Sequence, residues 1–251
     1  MPATTFIGKT IIELPYVDST NNYAHTLLGS KGVFEGTVIR TDHQTAGKGY
    51  SGNKWESEKE KNLLVSIILK PGFLQVKQQF FLTQAISLAV ADAVAAISML
   101  NDVKIKWPND VLHRYKKVAG ILIENSVQGE IILHSVVGIG LNVNQTDFPR
   151  TIKPSTSLKM MTGKDFDLRK VLDVLCENIE YRYLQLRSNQ VQEIQKDYMK
   201  NLYRVDEEAV FIADNSRFNA KIAGLTAEGK LVLHVGDQHK VFGFKEVEMV
   251  L

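Results

Sequence analysis

Apolar residues recur at every third or fourth position along two long stretches of the chain. Between residues 82 and 100 this spacing predicts a helix, and apolar residues on its other sides indicate that it is covered on more than one face. A second periodic stretch begins at Leu168 and predicts a helix running towards Leu202. Residues 18–21 read Asp-Ser-Thr-Asn, all helix-capping types, and predict a third helix that extends to Leu28.

Continuous or alternating apolar runs predict the strands of a sheet. They lie at residues 36–41, Leu63–Leu69, 103–107, 118–124 and 131–139. Several strands with one long helix inserted among them indicate an α+β fold. We therefore expect a mixed sheet with helices packed on one face.

The pattern changes after the second long helix. From Tyr203 onward the chain consists of short strand-like segments, separated by turn residues at 214–215, 228–229 and 236–237. Such a run is typical of a small antiparallel barrel. The predicted domains are therefore residues 1–202, which carry the main sheet, and residues 203–251, which form a small β-barrel.

Composition excludes several classes of protein. The chain has 251 residues with 30 Lys and Arg against 28 Asp and Glu, which argues against a dedicated nucleic-acid-binding protein. The lone Cys176 cannot form an internal disulfide, and nowhere are there eighteen consecutive apolar residues. We expect a cytoplasmic protein without membrane association.

A long loop between two predicted strands is the first candidate for chemistry. Residues 44–55 read QTAGKGYSGNKW; their glycines allow a close backbone approach to an anion, and Lys48 supplies positive charge. The spacing matches neither a Rossmann fingerprint nor a P-loop. Taken alone, the loop is equally well explained as a glycine-rich surface loop with a solvated lysine.

Three further blocks carry the same ambiguity. In KWPND, residues 106–110, Pro108 stops the strand, so that Asn109 and Asp110 project from its end as ligand-binding groups or as a simple turn. KVAGILIE, residues 117–124, places a lysine at the start of a buried strand, and GIGLNVN, residues 138–144, removes side chains from one strand face. A packed helix needs that clearance as readily as a ligand does.

The four blocks together, in this order and at these separations, resemble biotin–protein ligases. Ser19-Thr20-Asn21, Thr156-Ser157-Leu158 and the small C-terminal β-domain fit the same family, and the resemblance covers roughly residues 10–251. It implies a class II synthetase-like biotin/lipoate ligase fold with an SH3-like C-terminal barrel.

The resemblance implies the activity of a biotin–[acetyl-CoA-carboxylase] ligase. Such an enzyme joins biotin to ATP, which gives biotinyl-5′-AMP and pyrophosphate, and passes the biotinyl group to one lysine of a biotin carboxyl carrier protein. ATP and biotin are the substrates and Mg²⁺ is the expected metal. Because the first step brings two anions together, its site needs cations shielded from water.

The resemblance also assigns residues to roles. Lys48 and Lys117 are the catalytic candidates. The biotin-binding candidates are Ser19, Thr20, Asn21, Gln44, Lys48, Gly49, Tyr50, Lys117, Gly120, Leu122, Gly138 and Gly140. The ATP-binding candidates are Gly47, Lys48, Gly49, Trp55, Lys106, Asn109, Asp110 and Asn142, with Asp110 also the candidate for Mg²⁺ through the phosphates.

Two departures from the family pattern modify this picture. Many relatives carry arginines where this chain has Lys48 and Tyr50, and the loss of a planar, bidentate cation leads to the hypothesis of weaker adenylate retention. The Ser-Thr-Asn block already lies at residues 19–21, which leaves no room before it for a helix-turn-helix domain. We therefore expect no sequence-specific DNA binding.

Two alternatives remain at this stage. A lipoate–protein ligase shares the superfamily fold, although KWPND, the AGILIE strand and the C-terminal barrel favour biotin. A non-catalytic biotin sensor would have no need of Lys48 and Lys117 at the phosphates. The sequence does not decide whether the protein forms a homodimer.

Overall fold

The structure is a computed structural model that describes residues 1–30, 32–49, 52–149 and 153–250. Its helices are α1 (Thr20–Leu28), α2 (Gln79–Ser98), α3 (Leu158–Thr162), α4 (Leu168–Arg187) and α5 (Val191–Asn201). The strands of the main sheet are β1 (Ile11–Leu14), β2 (Val38–Thr41), β3 (Leu63–Leu69), β4 (Val103–Lys106), β5 (Asp110–His113), β6 (Lys116–Gln128) and β7 (Ile131–Leu141). A second sheet contains β8 (Glu208–Ala213), β9 (Ser216–Leu225), β10 (Leu231–Val235), β11 (Gln238–Phe242) and β12 (Glu248–Met249).

The main sheet is mixed, as the sequence predicts. Its strand order is β1-β2-β3-β7-β6-β5-β4. The edge strand β1 runs parallel to β2, and the other neighbouring pairs are antiparallel. Strand β1 is too short and too exposed for its four residues to show a clear apolar pattern, and the sequence did not predict it.

Both faces of the sheet are covered. On one face α2 packs against α4 and α5, which confirms the predicted helix layer. Helix α1 lies on the opposite face, where its Ala24 packs with Ile39, Ile68 and Val136. Side chains alternate between faces along a strand, so β3, buried at every position, serves both layers. The segment Val76–Ser98 is long and apolar enough to cross a membrane, but 67% of its most apolar window is buried inside the protein.

The long C-terminal helical stretch is broken, contrary to the single helix predicted from residue 168 to residue 202. Helix α4 ends at Arg187 and α5 begins at Val191. Between them Asn189 has a left-handed backbone (φ 59°), and the amide of Gln190 donates to the carbonyl of Gln185. This left-handed residue ends the first helix and lets α5 fold back against α2.

The KWPND block forms a hairpin turn. Strand β4 ends at Lys106, and Asp110 begins β5, which pairs back on β4 with Lys106 opposite Asp110. The prediction that Asn109 and Asp110 both project beyond a strand end is therefore wrong for Asp110. Residues 107–109 form the turn, which reverses the chain and brings Asp110 beside the β6 strand.

The second sheet is antiparallel, with strand order β11-β10-β9-β8-β12, as expected for the small C-terminal β-structure. It contacts the main sheet through Trp107, whose indole N–H donates to the carbonyl of Gly229 at 2.9 Å. The ring of Trp107 also stacks on Phe244, with centroids 5.3 Å apart. The division into domains at residues 202 and 203, and closure of this sheet into a barrel, remain predictions.

Candidate active site

A cavity of about 420 Å³, called here the central cavity, lies between the main sheet and the second sheet. The walls on the main-sheet side are formed by β6, β7, the start of α1 and residues 44, 48–49 and 53–55 of the glycine loop, the name used here for residues 44–55. Ile222 and Leu231 of the second sheet line the opposite side together with β12. The cavity is therefore assembled from segments at both ends of the chain.

One end of the cavity carries uncharged hydrogen-bonding groups. The backbone amide of Thr20 donates to Gln44 Oε1 at 2.8 Å, which ties α1 to the glycine loop. Ser66 Oγ lies 2.7 Å from Thr20 Oγ1 and 2.6 Å from Asn21 Oδ1. Ser19, Thr20, Asn21 and Ser66 are all nearly completely buried. This polar end can recognise an uncharged ligand group through fixed donors and acceptors.

Glu124 holds the same polar end from the far side. Asn21 Nδ2 donates to Glu124 Oε2 at 2.6 Å, and His25 Nε2 lies 3.3 Å from the same oxygen. The amide of Asn21 is thus held at its oxygen by Ser66 and at its nitrogen by Glu124. These contacts fix which way the amide of Asn21 points.

The strand glycines make room for the protein's own side chains. A Cβ atom added at Gly138 would collide with the Asn21 amide, and one added at Gly140 would overlap the Trp55 ring. At Gly120 it would lie 2.9 Å from both Lys117 Nζ and Trp55 Cζ3. The clearance that these glycines provide is therefore used by the protein's own side chains, and the glycines themselves also line the cavity. They position Asn21, Trp55 and Lys117, which in turn line the cavity.

Trp55 brings an unsatisfied donor to the cavity. Its Nε1 atom is buried and has no hydrogen-bond partner in the part of the chain that the structure describes. The Lys117 ammonium lies 5.3 Å from the centre of the Trp55 ring, a cation–π distance. A buried N–H without a partner is costly, so this atom is poised to donate to a ligand.

The other end of the cavity is cationic. Lys106, Lys117 and Lys153 line it and lie close enough to interact electrostatically. Lys48, Lys54 and Lys245 also line the cavity, and Lys48 and Lys54 line a smaller adjoining cavity with Glu124 as well. Among the described residues, the carboxylates that line the central cavity are Asp110 and Glu248. Asp110 Oδ1 lies 2.6 Å from Lys117 Nζ. The excess of ammonium groups suits a ligand with several negative charges.

Lys106 is the most buried of these lysines, with 7% of its surface exposed. Burial lowers the pKa of Lys106 below its ordinary value of 10.5, and the nearby Lys153 lowers it further. No ion pair to this ammonium is formed within residues 1–30, 32–49, 52–149 and 153–250. A polyanion entering the cavity would meet a desolvated ammonium whose charge Asp110 and Glu248 compensate only in part.

Most of the residues selected from sequence come together at this cavity. Those that line it are Ser19, Thr20, Asn21, Gln44, Lys48, Gly49, Trp55, Lys106, Asn109, Asp110, Lys117, Gly120, Leu122, Gly138 and Gly140. Gly47 lines the smaller adjoining cavity beside Glu124. Tyr50 lies outside the described residues.

Asn142 does not line the central cavity. Its amide nitrogen donates to the carbonyl of Thr156 at 3.0 Å, and its side chain is buried. Asn109 lines the cavity, but its amide also holds a neighbouring backbone carbonyl, that of Ile121, at 2.7 Å. The hypothesis that Asn142 contacts a nucleotide therefore has no support from its position.

Several residues at the site escaped prediction from sequence. Ser66 is the single polar residue in the apolar run Leu63–Leu69, and that contrast was a usable signal. Lys153, Lys245 and Glu248 lie in ordinary polar surroundings in the sequence, so nothing local marks them. Packing of the second sheet on the main sheet brings Lys245 and Glu248 to the cavity, whereas Lys153 reaches it through the segment at Pro154 and Ser155 that pairs with Lys117 of β6.

Comparison with known proteins agrees with this geometry. The sequence model of the biotin/lipoate A/B protein ligase family matches residues 13–142. The bifunctional ligase/repressor BirA of Bacillus spizizenii is 31% identical over 98% of this chain and 76% of its own length. The biotin–[acetyl-CoA-carboxylase] ligase of Paracoccus denitrificans is 29% identical over 88% of this chain and 92% of its own.

Solved structures give the same result for the fold. The biotin protein ligase from Aquifex aeolicus in complex with biotin and ATP superposes with a TM-score of 0.80, covering 96% of this chain and 99% of that one at 29% identity. This similarity includes the second sheet as well as the main one, given its coverage. The chain belongs to the biotin/lipoate A/B protein ligase family.

Proposed function

We propose that this protein activates biotin with ATP and transfers the biotinyl group to a lysine of a biotin carboxyl carrier protein. The observation that carries the proposal is a single cavity lined both by buried, uncharged hydrogen-bonding groups and by lysines. Biotin offers an uncharged urea group and a carboxylate, and ATP offers a polyphosphate. The cavity offers partners for each of these groups, and we propose a cytoplasmic location, where ATP is available.

In the first step a biotin carboxylate oxygen attacks the α-phosphorus of ATP. The bond from that phosphorus to the bridging oxygen breaks, and pyrophosphate leaves with the electron pair. We assign Lys117 and Lys48 to neutralise the charge that builds up between carboxylate and phosphate. Thr20, Asn21 and Gln44 would hold the urea group, since their donors and acceptors are fixed by Ser66 and by one another.

In the second step the amine of the carrier lysine attacks the biotinyl carbonyl. An amide bond forms, AMP leaves, and the proton of the amine passes to solvent. Because the mixed anhydride is already activated, no nucleophilic side chain is needed, and we assign none. The cations that held the phosphates would also stabilise the departing AMP.

Asp110 fits the role of a single carboxylate near a phosphate-bound Mg²⁺, although Lys117 already neutralises it at 2.6 Å. Among the described residues there is no group of three or more His, Cys, Asp or Glu side chains that could hold a metal ion. When bound, Mg²⁺ would neutralise the β- and γ-phosphates. The protein's own contribution there is Lys106, Lys153 and Lys245.

The test is incubation with biotin, Mg²⁺-ATP and a carrier domain, followed by mass measurement of the carrier. One added biotinyl group on the carrier supports the proposal, and no mass change refutes it. A parallel reaction with lipoate separates the two vitamins: lipoate-dependent pyrophosphate exchange exceeding the biotin-dependent rate would favour the lipoate ligase instead. Biotin binding without exchange would favour a non-catalytic sensor.

Ser66→Ala is expected to raise the KM for biotin about tenfold, because Asn21 Oδ1 loses its donor and Thr20 Oγ1 keeps only its 3.2 Å contact with Gln44 Oε1. The KM for ATP should change little. Ser87→Ala is the matched control, since Ser87 is also fully buried but its hydroxyl has no partner among the described residues. Equal effects of the two substitutions would contradict the role given to Ser66.

The lowered pKa of Lys106 predicts a pH dependence. Its ammonium loses the proton at a lower pH than an ordinary lysine. As the pH rises, kcat/KM for ATP should therefore begin to fall before the ordinary lysine value of 10.5 is reached. Lys106→Arg keeps its charge throughout and should lack this fall. Lys245→Arg, at an exposed position of the same cavity, should keep the profile of the natural protein. Identical profiles for all three proteins would contradict the assignment.

A further inference from the structure

The second sheet places a carboxylate at the cationic end of the central cavity. Glu248 lies in β12, which pairs with β8, and its neighbours Val247 and Met249 are buried against the cavity wall. The two buried neighbours anchor the strand. The Glu248 side chain is left half-exposed, at 55%, among the lysines.

Glu248 holds one of those lysines. Its Oε1 accepts a hydrogen bond from Lys153 Nζ, which comes from the main-sheet part of the chain. Hydrogen bonding to Lys153 lowers the pKa of Glu248, so the carboxylate is ionised at neutral pH. The pair therefore bridges the two sheets beside the buried Lys106.

At this end of the cavity, carboxylates of the protein already pair with lysines that a polyphosphate would need. Asp110 already pairs with Lys117, and Glu248 pairs with Lys153. A polyphosphate that enters must share these lysines with the two carboxylates. Asp110 lies beside the Lys117 ammonium that we assign to the reacting groups, whereas Glu248 contacts Lys153, which we assign to the β- and γ-phosphates.

We propose that Glu248 is a positioning residue: its carboxylate pairs with Lys153 and competes with the polyphosphate of ATP for this lysine. We call this the counter-anion role of Glu248. This inference rests on the proposed function. Its consequence is that Glu248 weakens the binding of both ATP and pyrophosphate. Weaker pyrophosphate binding favours release of that product after the first step.

Glu248→Gln is expected to lower the KM for ATP and the inhibition constant of pyrophosphate, each by about two- to fivefold, the range for exposed charge pairs. The KM for biotin and the thermal stability should not change. Glu248→Asp keeps the charge and should restore the natural values. The inference would be overturned if Glu248→Gln left the KM for ATP and the inhibition constant of pyrophosphate unchanged, or raised them.

The matched control is Asp165→Asn. Asp165 pairs with Lys159 at 2.8 Å, both on the surface outside the cavity, so this variant makes the same change in net charge. A second test uses Lys153→Gln, which should raise the KM for ATP; adding Glu248→Gln to it should have no further effect. An additive double variant would refute the pairing mechanism.

The outcomes also separate this inference from the proposed function. If the natural protein forms no biotinyl-AMP, the proposed function fails. If it forms biotinyl-AMP and the Glu248 variants behave like the Asp165 control, only the counter-anion role fails.

Discussion

Replacement of Lys117 by alanine is expected to reduce the rate of biotinyl-AMP formation by about two to three orders of magnitude. The Lys117 ammonium lies 2.6 Å from Asp110 Oδ1 and 5.3 Å from the centre of the Trp55 ring, inside the central cavity. Its loss removes a cation and leaves the Asp110 carboxylate unpaired. Both effects raise the energy of bringing a carboxylate to a phosphate.

The measurement is biotin-dependent pyrophosphate exchange, with single-turnover formation of the adenylate followed by mass. Lys116→Ala is the matched control, because the adjacent lysine does not line the cavity and lies near Tyr115 instead. Adding Asp110→Asn to Lys117→Ala separates two effects: partial recovery of the rate would show that the unpaired carboxylate contributes to the loss, and a further loss would support the Mg²⁺ role proposed for Asp110. A Lys117→Ala variant within threefold of the natural rate would contradict the assignment.

Gly140→Ala is the second substitution with a large expected effect. The added methyl group would overlap the Trp55 ring, which must then shift together with the Lys117 ammonium above it. Because small displacements of reacting groups are costly, we expect kcat/KM to fall about 10- to 100-fold. Overpacking of a buried strand is also expected to cost about 1–3 kcal/mol of stability.

A control variant, a fluorescence measurement and a second background test whether displacement of Trp55 causes the loss. Gly72→Ala is the control, since an added Cβ there has no neighbour within 4 Å. Tryptophan fluorescence should change in Gly140→Ala and not in Gly72→Ala. In a Trp55→Leu background the overlap is relieved, so Gly140→Ala should then add little. An equal further loss in that background would show that Trp55 is not the cause.

Local signals were sufficient for much of the fold. The apolar run of β3 and the periodic pattern of α2 predicted a buried strand and a buried helix, and both were confirmed. The turn residues after residue 203 predicted the short antiparallel strands. These features depend on period and on turn chemistry, which act over a few residues.

Where the prediction failed, distant contacts decided the outcome. Strand β1 exists because β2 offers it a parallel edge, and α1 covers the second face because Ala24 fits over Ile39 and Ile68. Asn189 ends α4 locally, but it is the contact with α2 that holds α5 in its folded-back position. None of these partners is close in sequence to the residue it affects.

The sequence by itself determined the residue types needed for the proposed chemistry and most of the segments that carry them, since motif spacing and periodicity are properties of neighbouring residues. The tertiary structure alone decided how they meet. It turned the glycines of β6 and β7 towards Trp55 and Asn21, paired Lys117 with Asp110, and brought Lys153 to Glu248, 95 positions away. The physical reason is that charge compensation and steric clearance are set by distance in space, and folding brings these distant residues together.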